Sequence, residues 1–96
     1  MISTRHEVFM MAAQLKSFSR ASQQLYISQP AVSRHIKALE EYYKTRLFER
    51  KGSSIGLTAA GSILLEKLIE VKNIQETTEQ QIAAIGKTAL VKSHHS

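Results

Sequence analysis

The amino-acid sequence predicts a mainly helical fold: three short helices, a two-stranded hairpin and one long closing helix. Three observations predict it. Apolar residues recur at three- and four-residue spacing through most of the chain. Ser or Thr stands where each helical run begins, as an N-cap requires. One alternating stretch, Leu47 to Leu57, is interrupted by Lys51-Gly52-Ser53-Ser54, the pattern of two strands and a turn.

The first helix is expected over about Thr4–Leu15, where Val8, Met11, Ala12 and Leu15 form its apolar stripe. Lys16-Ser17-Phe18-Ser19 breaks it. Ser19 is placed to cap a second helix running to about Leu25, with Phe18 before the cap as a hydrophobic staple. Tyr26-Ile27 is a short link. Ser28 caps a third helix to about Tyr42 and Pro30 falls in its first turn, where a missing N–H costs nothing. Leu47–Arg50 and Ile55–Leu57 read as the two strands. A lone hairpin is marginal in water, so this one must lean on the helices. Thr58 caps the long fourth helix, expected to reach Ile85, with Gly86 as its stop and residues 87–96 as a linker or frayed end.

Composition narrows the function. The 96 residues carry 13 Lys and Arg, 8 Asp and Glu, and a net charge of +5. At 43% hydrophobic the chain can bury a small core, and its length excludes a two-domain enzyme with an interdomain cleft. There is no cysteine, which excludes disulfide scaffolds, Cys-rich zinc modules and thiol catalysis. No apolar run approaches the roughly 18 residues of a membrane span, and no signal-peptide core is visible, so a cytoplasmic protein is expected. The charge is also divided. Residues 1–56 hold nine Lys and Arg against four Glu, whereas residues 57–96 hold four Lys against four Glu. The whole excess lies in the first half, which suits one part meeting a polyanion and the other doing something else.

The second and third helices, joined by a very short turn, form a helix-turn-helix arrangement. Ala21 and Leu25 face inward, Ile27 plugs the turn, and Val32, Ile36 and Leu39 make the inner stripe of the third helix. Its opposite face carries Pro30, Arg34 and Lys37 with Ser33 at the edge, and Gln29 and Ala31 sit at the exposed tip. Arg and Gln each read a base edge through two hydrogen bonds, and a helix tip is where such groups meet the major groove.

These residues carry a resemblance. Ser17-Phe18-Ser19-Arg20-Ala21, Leu25, Ser28-Gln29-Pro30-Ala31-Val32-Ser33-Arg34-His35-Ile36, Leu39-Glu40, Leu47-Phe48-Glu49-Arg50 and Leu57-Thr58-x-Ala60-Gly61 resemble the N-terminal domain of LysR-type transcriptional regulators over about residues 8–65. The resemblance implies a winged helix-turn-helix over residues 1–57, a dimerising linker helix over 58–86, and a tail, 87–96, leading to an effector-binding domain. It implies sequence-specific binding of duplex DNA at an interrupted palindrome by a homodimer, or a tetramer in the full-length protein. It also implies a nucleoid-associated cytoplasmic protein with no cofactor and no enzymatic activity. Carried over by position, Gln29, Pro30, Ala31, Ser33 and Arg34 face bases and nearby phosphates, with Ser28 and Lys37 flanking them on the backbone. Ser19 and Arg20 match phosphate-contacting positions, and Arg50 with Lys51, Gly52, Ser53 and Ser54 match the wing.

The chain also departs from the family pattern. Lys44 stands where Gly is usual, so a left-handed conformation there costs roughly 1 kcal/mol. Ser53, Ser54 and Gly56 replace common wing arginines, which shifts the expected wing role toward phosphate contact. His6 and Ser3 replace apolar residues of the first helix, with Ile2 placed to fill in. On the fourth helix Leu64, Val71, Thr78 and Ile85 lie seven apart, with Leu68, Gln75 and Ile82 four residues after the first three. This is a heptad seam whose first two turns are expected to pack on the chain's own domain and whose remainder suits a partner helix; the resemblance implies an antiparallel pair, with Gln75 and Thr78 placed to set its register.

Other readings fit parts of the pattern less well. Adjacent His94 and His95 make a poor metal chelate. His35 and the Met10–Met11 pair read as packing residues. The Ser and Thr residues have no legible catalytic partners, and no Gly-rich phosphate loop appears. A basic face meeting an acidic protein is the remaining rival, and salt-dependent binding to random duplex DNA separates it from the DNA-binding reading.

Overall fold

The computed structural model describes residues 2–95, with side chains described for residues 2–88. Its elements in chain order are α1 (Thr4–Leu15), α2 (Phe18–Leu25), α3 (Gln29–Tyr43), β1 (Phe48–Lys51), β2 (Ser54–Leu57) and α4 (Ala59–His95).

Side-chain oxygens open every helix. Ser3 accepts from the His6 N–H, Ser17 from Arg20, Ser28 from Ala31 and Thr58 from Gly61. Three helices close on a residue in the left-handed region: Lys16 (φ 54°), Tyr26 (φ 57°) and Lys44 (φ 57°). Lys44 thus keeps the conformation that Gly would hold more cheaply. The left-handed turn at Lys16 also corrects the expected start of α2. It swings the chain so sharply that Ser17, not Ser19, is the cap, and Phe18 is the first residue of the helix rather than a staple outside it. Phe18 packs edge-to-face on Phe48, with ring centroids 5.2 Å apart.

The core comprises Val8, Phe9, Met10, Ala12 and Ala13 of α1, Ala21 of α2, Val32, Ile36 and Leu39 of α3, Leu47 and Phe48, and Leu68 of α4. Helix α1 packs against α2, α3 and α4 together. It therefore buries more of its circumference than one stripe: Phe9, Met10 and Ala13 are buried, whereas Met11 and Leu15 are half-buried. Ile2 packs against this core as expected. His6, placed where an apolar residue was expected, instead links α1 to α3. Its Nδ1 lies 2.6 Å from Ser3 Oγ and its Nε2 lies 2.8 Å from the Tyr43 hydroxyl.

The hairpin is antiparallel, with Phe48 opposite Leu57, Glu49 opposite Gly56, Arg50 opposite Ile55 and Lys51 opposite Ser54. The turn is Gly52-Ser53, and Gly52 takes a positive φ of 64°. Three devices hold the hairpin to the helices. Glu40 Oε2 accepts from the Leu47 N–H at 2.8 Å, from the Phe48 N–H at 3.4 Å and from Arg46 Nε at 3.4 Å. Thr58 donates its N–H to the Leu47 carbonyl and its hydroxyl to the Arg46 carbonyl. Gly61 lets α4 approach so closely that an added Cβ would strike the Leu47 carbonyl oxygen and lie 2.9 Å from Leu57 Cδ2.

Helix α4 does not stop at Gly86. It continues to His95, a correction to the expected end. An exposed glycine costs a helix interior about 1 kcal/mol. No proline follows to enforce a stop, and Thr88 bonds back to the Ala84 carbonyl across Gly86. The side chains of residues 89–96, His94 and His95 among them, lie outside the described set.

Candidate nucleic-acid interface

Helix α3 presents its expected outer face. Gln29, Pro30, Ser33, Arg34 and Lys37 are exposed and Ala31 is half-buried, while Val32, Ile36 and Leu39 are fixed in the core beneath. Because those three apolar side chains are pinned, the rotation of the polar face is fixed. Ser28 is committed to the cap: its Oγ accepts from the Ala31 N–H at 3.2 Å. His35 is half-buried between the two faces.

The ends of three elements converge beside this face. Ser17 and Ser19 at the start of α2, Gln29 at the tip of α3, and Arg50, Ser53 and Ser54 of the hairpin line one groove of about 310 Å³. Lys16 and Arg46 line the same groove, and sequence reasoning missed both. Lys16 reads only as part of the break after the first helix, and Arg46 carries no motif of its own. Their place follows from the left-handed turn at Lys16 and from Glu40 holding Arg46. The groove carries Lys16, Arg46 and Arg50 against Glu49, a net positive rim. The N-terminus of α2 opens onto it, and the positive end of a helix with unbonded N–H groups suits an oxyanion of phosphate type. Among the described residues, Arg20, Arg34, Lys37 and Arg50 make no ion pair, whereas Arg46 and Lys51 pair with Glu40 and Glu49.

The register separates two wing cations. Arg50 shares a strand face with Phe48 and lines the groove. Lys51 lies on the other face, in a depression with Lys16, Gly56 and Ser62. Its stem crosses Gly56 so closely that a Cβ there would sit 3.1 Å from Lys51 Cδ and Cε. Its ammonium is 4.0 Å from Glu49.

Helix α4 divides its expected seam in two. Leu64 and Leu68 pack into the chain's own core, so they are not part of an open face. Val71, Ile82 and Ile85 are exposed and Gln75 is half-buried beside Glu79. Thr78 turns its hydroxyl onto the Ile74 carbonyl. Ile74, not singled out in the sequence, is 66% exposed and lies three residues after Val71, one position before Gln75. Among the described residues no helix is long and apolar enough to cross a membrane.

With this geometry in place, comparison with known proteins is decisive. The model of the bacterial regulatory helix-turn-helix protein, lysR family, matches residues 4–62. The chain belongs to the LysR family. A HTH-type transcriptional regulator of Azotobacter vinelandii, encoded in the ibpB-leuC intergenic region, is 37% identical over 92 residues, covering 91% of this chain and 64% of that protein. A LysR-family transcriptional regulator from Eggerthella lenta is 38% identical with a TM-score of 0.67, covering 71% of this chain and 97% of that one. The CbnR DNA-binding domain in complex with DNA is 28% identical with a TM-score of 0.74, covering 85% of this chain and 94% of that one. The winged helix-turn-helix with a long following helix is thus the LysR-family fold, and the relatives are transcriptional regulators, not enzymes. The chain spans 64% and 27% of the length of two curated relatives it matches.

Proposed function

We propose that this chain is the DNA-binding portion of a homodimeric LysR-type regulator that reads an interrupted palindrome in duplex DNA. The observation that carries the reading is the convergence of the α3 tip, the α2 N-terminus and the Arg50 face of the wing on one positive groove. Helix α3 enters the major groove. Gln29, Pro30, Ala31, Ser33 and Arg34 read bases and adjoining phosphates, Lys37 and Ser28 flank them, and Ser19 and Arg20 hold the backbone. Arg50, Lys51, Ser53 and Ser54 lie along the neighbouring backbone or minor groove. The LysR-type complex with DNA supports this arrangement, as does the absence, among the described residues, of ion pairs on Arg20, Arg34 and Lys37.

Residues 1–57 form the DNA-binding unit and 58–86 the dimerising helix. The tail, 87–96, of which residues 87–95 continue α4, leads toward the effector-binding domain that the family implies. Val71, Gln75, Thr78, Ile82 and Ile85, joined by Ile74, are the face that meets the partner's α4. Leu64 and Leu68 support that face from the core. The protein acts in the cytoplasm, on the nucleoid.

Selection from a random duplex pool, followed by titration of the selected and a scrambled duplex across salt, tests this. With about six phosphates neutralised per dimer, affinity falls about a thousand-fold between 50 and 200 mM salt. Arg34→Ala removes about 1–3 kcal/mol of discrimination at one base pair of each half-site. Equal losses on selected and scrambled DNA would contradict the base-reading role.

A further inference from the structure

Tyr26 is the most exposed large apolar residue among those described, with 94% of its surface in water. Its backbone is left-handed, φ 57° and ψ 40°, a conformation a bulky L-residue adopts at a cost of about 1 kcal/mol relative to Gly. The other two left-handed positions are long cations, whereas here an aromatic ring bears the strain with no packing in return. Only the backbone of Tyr26 serves the fold, its N–H closing α2 on the Gln23 and Ser22 carbonyls. A glycine would do that better. A strained residue that the fold does not use is a reason to look for a ligand.

The position names the ligand. Helix α2 has eight residues, so its axis spans about 12 Å, which is the width of the major groove. Its N-terminus, with Ser17 and Ser19, stands at one edge of the basic groove. Tyr26 terminates its other end, two residues before the cap of the recognition helix. A helix laid across the groove with one end on a phosphate ridge brings its other end to the opposite ridge.

We propose that the Tyr26 hydroxyl donates a hydrogen bond to a DNA phosphate on the strand opposite the one held by the α2 N-terminus. Helix α2 then acts as a crossbar gripping both walls of the groove. The inference rests on the DNA-binding reading above and adds a contact to it. The phenol is neutral, so the contact contributes affinity without releasing a counterion, and it is blind to base sequence.

The test uses the 96-residue chain and a fluorescent random-sequence 40-base-pair duplex, titrated by anisotropy at several salt concentrations. Tyr26→Phe removes the donor and keeps the ring; Tyr26→Gly removes both and relieves the strain. Expected for both is a loss of about ten-fold in affinity per recognition unit, the range of a hydrogen bond to a charged group, with an unchanged salt slope. Tyr26→Gly should also melt higher than the native chain, so that stability and affinity move in opposite directions. Native affinity in both variants overturns the proposal while native binding to the same duplex leaves the DNA-binding reading intact. A native chain that binds no duplex overturns both. A methylphosphonate scan of a selected site gives a second readout. One neutralised phosphate across the groove should weaken the native chain and leave Tyr26→Phe unaffected, and equal sensitivity at every phosphate overturns the proposal.

Discussion

Glu40 is the point where the recognition helix and the wing are tied, and Glu40→Ala measures the tie. Its side chain is 16% exposed and accepts from the main-chain N–H of Leu47, a residue that is 1% exposed. Removing the carboxylate strands that donor where water does not reach it, at about 1–3 kcal/mol for a buried unsatisfied group. The Phe48 N–H and Arg46 Nε bonds, both 3.4 Å, are long and contribute less. The expected loss is about 2 kcal/mol, or roughly 10 °C in melting temperature for a chain of this size. Glu40→Gln retains an acceptor oxygen and should lose less than half as much. Thermal and urea unfolding at one fixed protein concentration measure both, since a dimer's stability depends on concentration. A Glu40→Ala melting point within 2 °C of the native value would refute the reasoning. It would mean that the Leu47 N–H finds another partner and that Thr58 and Gly61 alone hold the wing.

Other substitutions probe the remaining joints. Gly61→Ala forces a methyl group into the Leu47 carbonyl and Leu57, and should cost about 1–3 kcal/mol by overpacking, seen as a lower urea midpoint at unchanged m-value. Burial, with the nearby positive N-terminus, lowers the His6 pKa below its ordinary 6.5. The unfolded chain therefore takes up a proton that the folded chain refuses, so this contribution is complete above pH 6.5 and declines as pH falls through it; His6→Gln should flatten that part of a stability-versus-pH profile. Ile74→Asn with Ile82→Asn should convert a dimer into a monomer by light scattering while preserving the melting of the α1–α3 core, because both side chains project into solvent. Arg50→Ala should weaken binding to random duplex more than Lys51→Ala, since only Arg50 faces the groove; equal losses would show that Lys51 swings off Gly56 and Glu49 on binding.

Much of this was legible in the sequence because it depends on short-range chemistry. Capping by Ser28, the inner stripe Val32–Ile36–Leu39 and the hairpin around Gly52 follow from residues a few positions apart. The missed features depend on residues brought together from a distance or on strain that side-chain type does not announce. Ser19 looked like a cap because nothing in the sequence says that Lys16 turns left-handed and hands the role to Ser17. Nothing in the sequence marks Glu40 as a joint, yet it is the acceptor for three groups six to eight residues away. Gly86 looked like a stop because composition alone does not weigh one glycine against the helix formers on either side. Ile74 was not read beside the seam, since spacings of three and four both fit a helix face and the sequence does not say which side chains the fold leaves exposed.

The division of charge and the division of packing fall in different places, and the difference bears on function. The net charge ends by residue 56, but the core extends to Leu68, with Ala60, Leu64 and Leu65 packed against it. The first three turns of α4 are therefore part of the unit that carries α3, and the helix leaves that unit without an intervening linker. Thr58 binds both Arg46 and Leu47, Gly61 lets the helix seat against the wing, and Lys72 reaches Glu7 of α1. In the proposed dimer, pairing through Val71, Ile74, Ile82 and Ile85 thus fixes the distance and angle between two α3 helices, with no joint at which the error could be absorbed. A change of register in the α4 pair by one heptad would move the two recognition helices by about 10 Å along that axis. In that proposed dimer the half-site spacing of the operator would be set by α4, which carries no net charge.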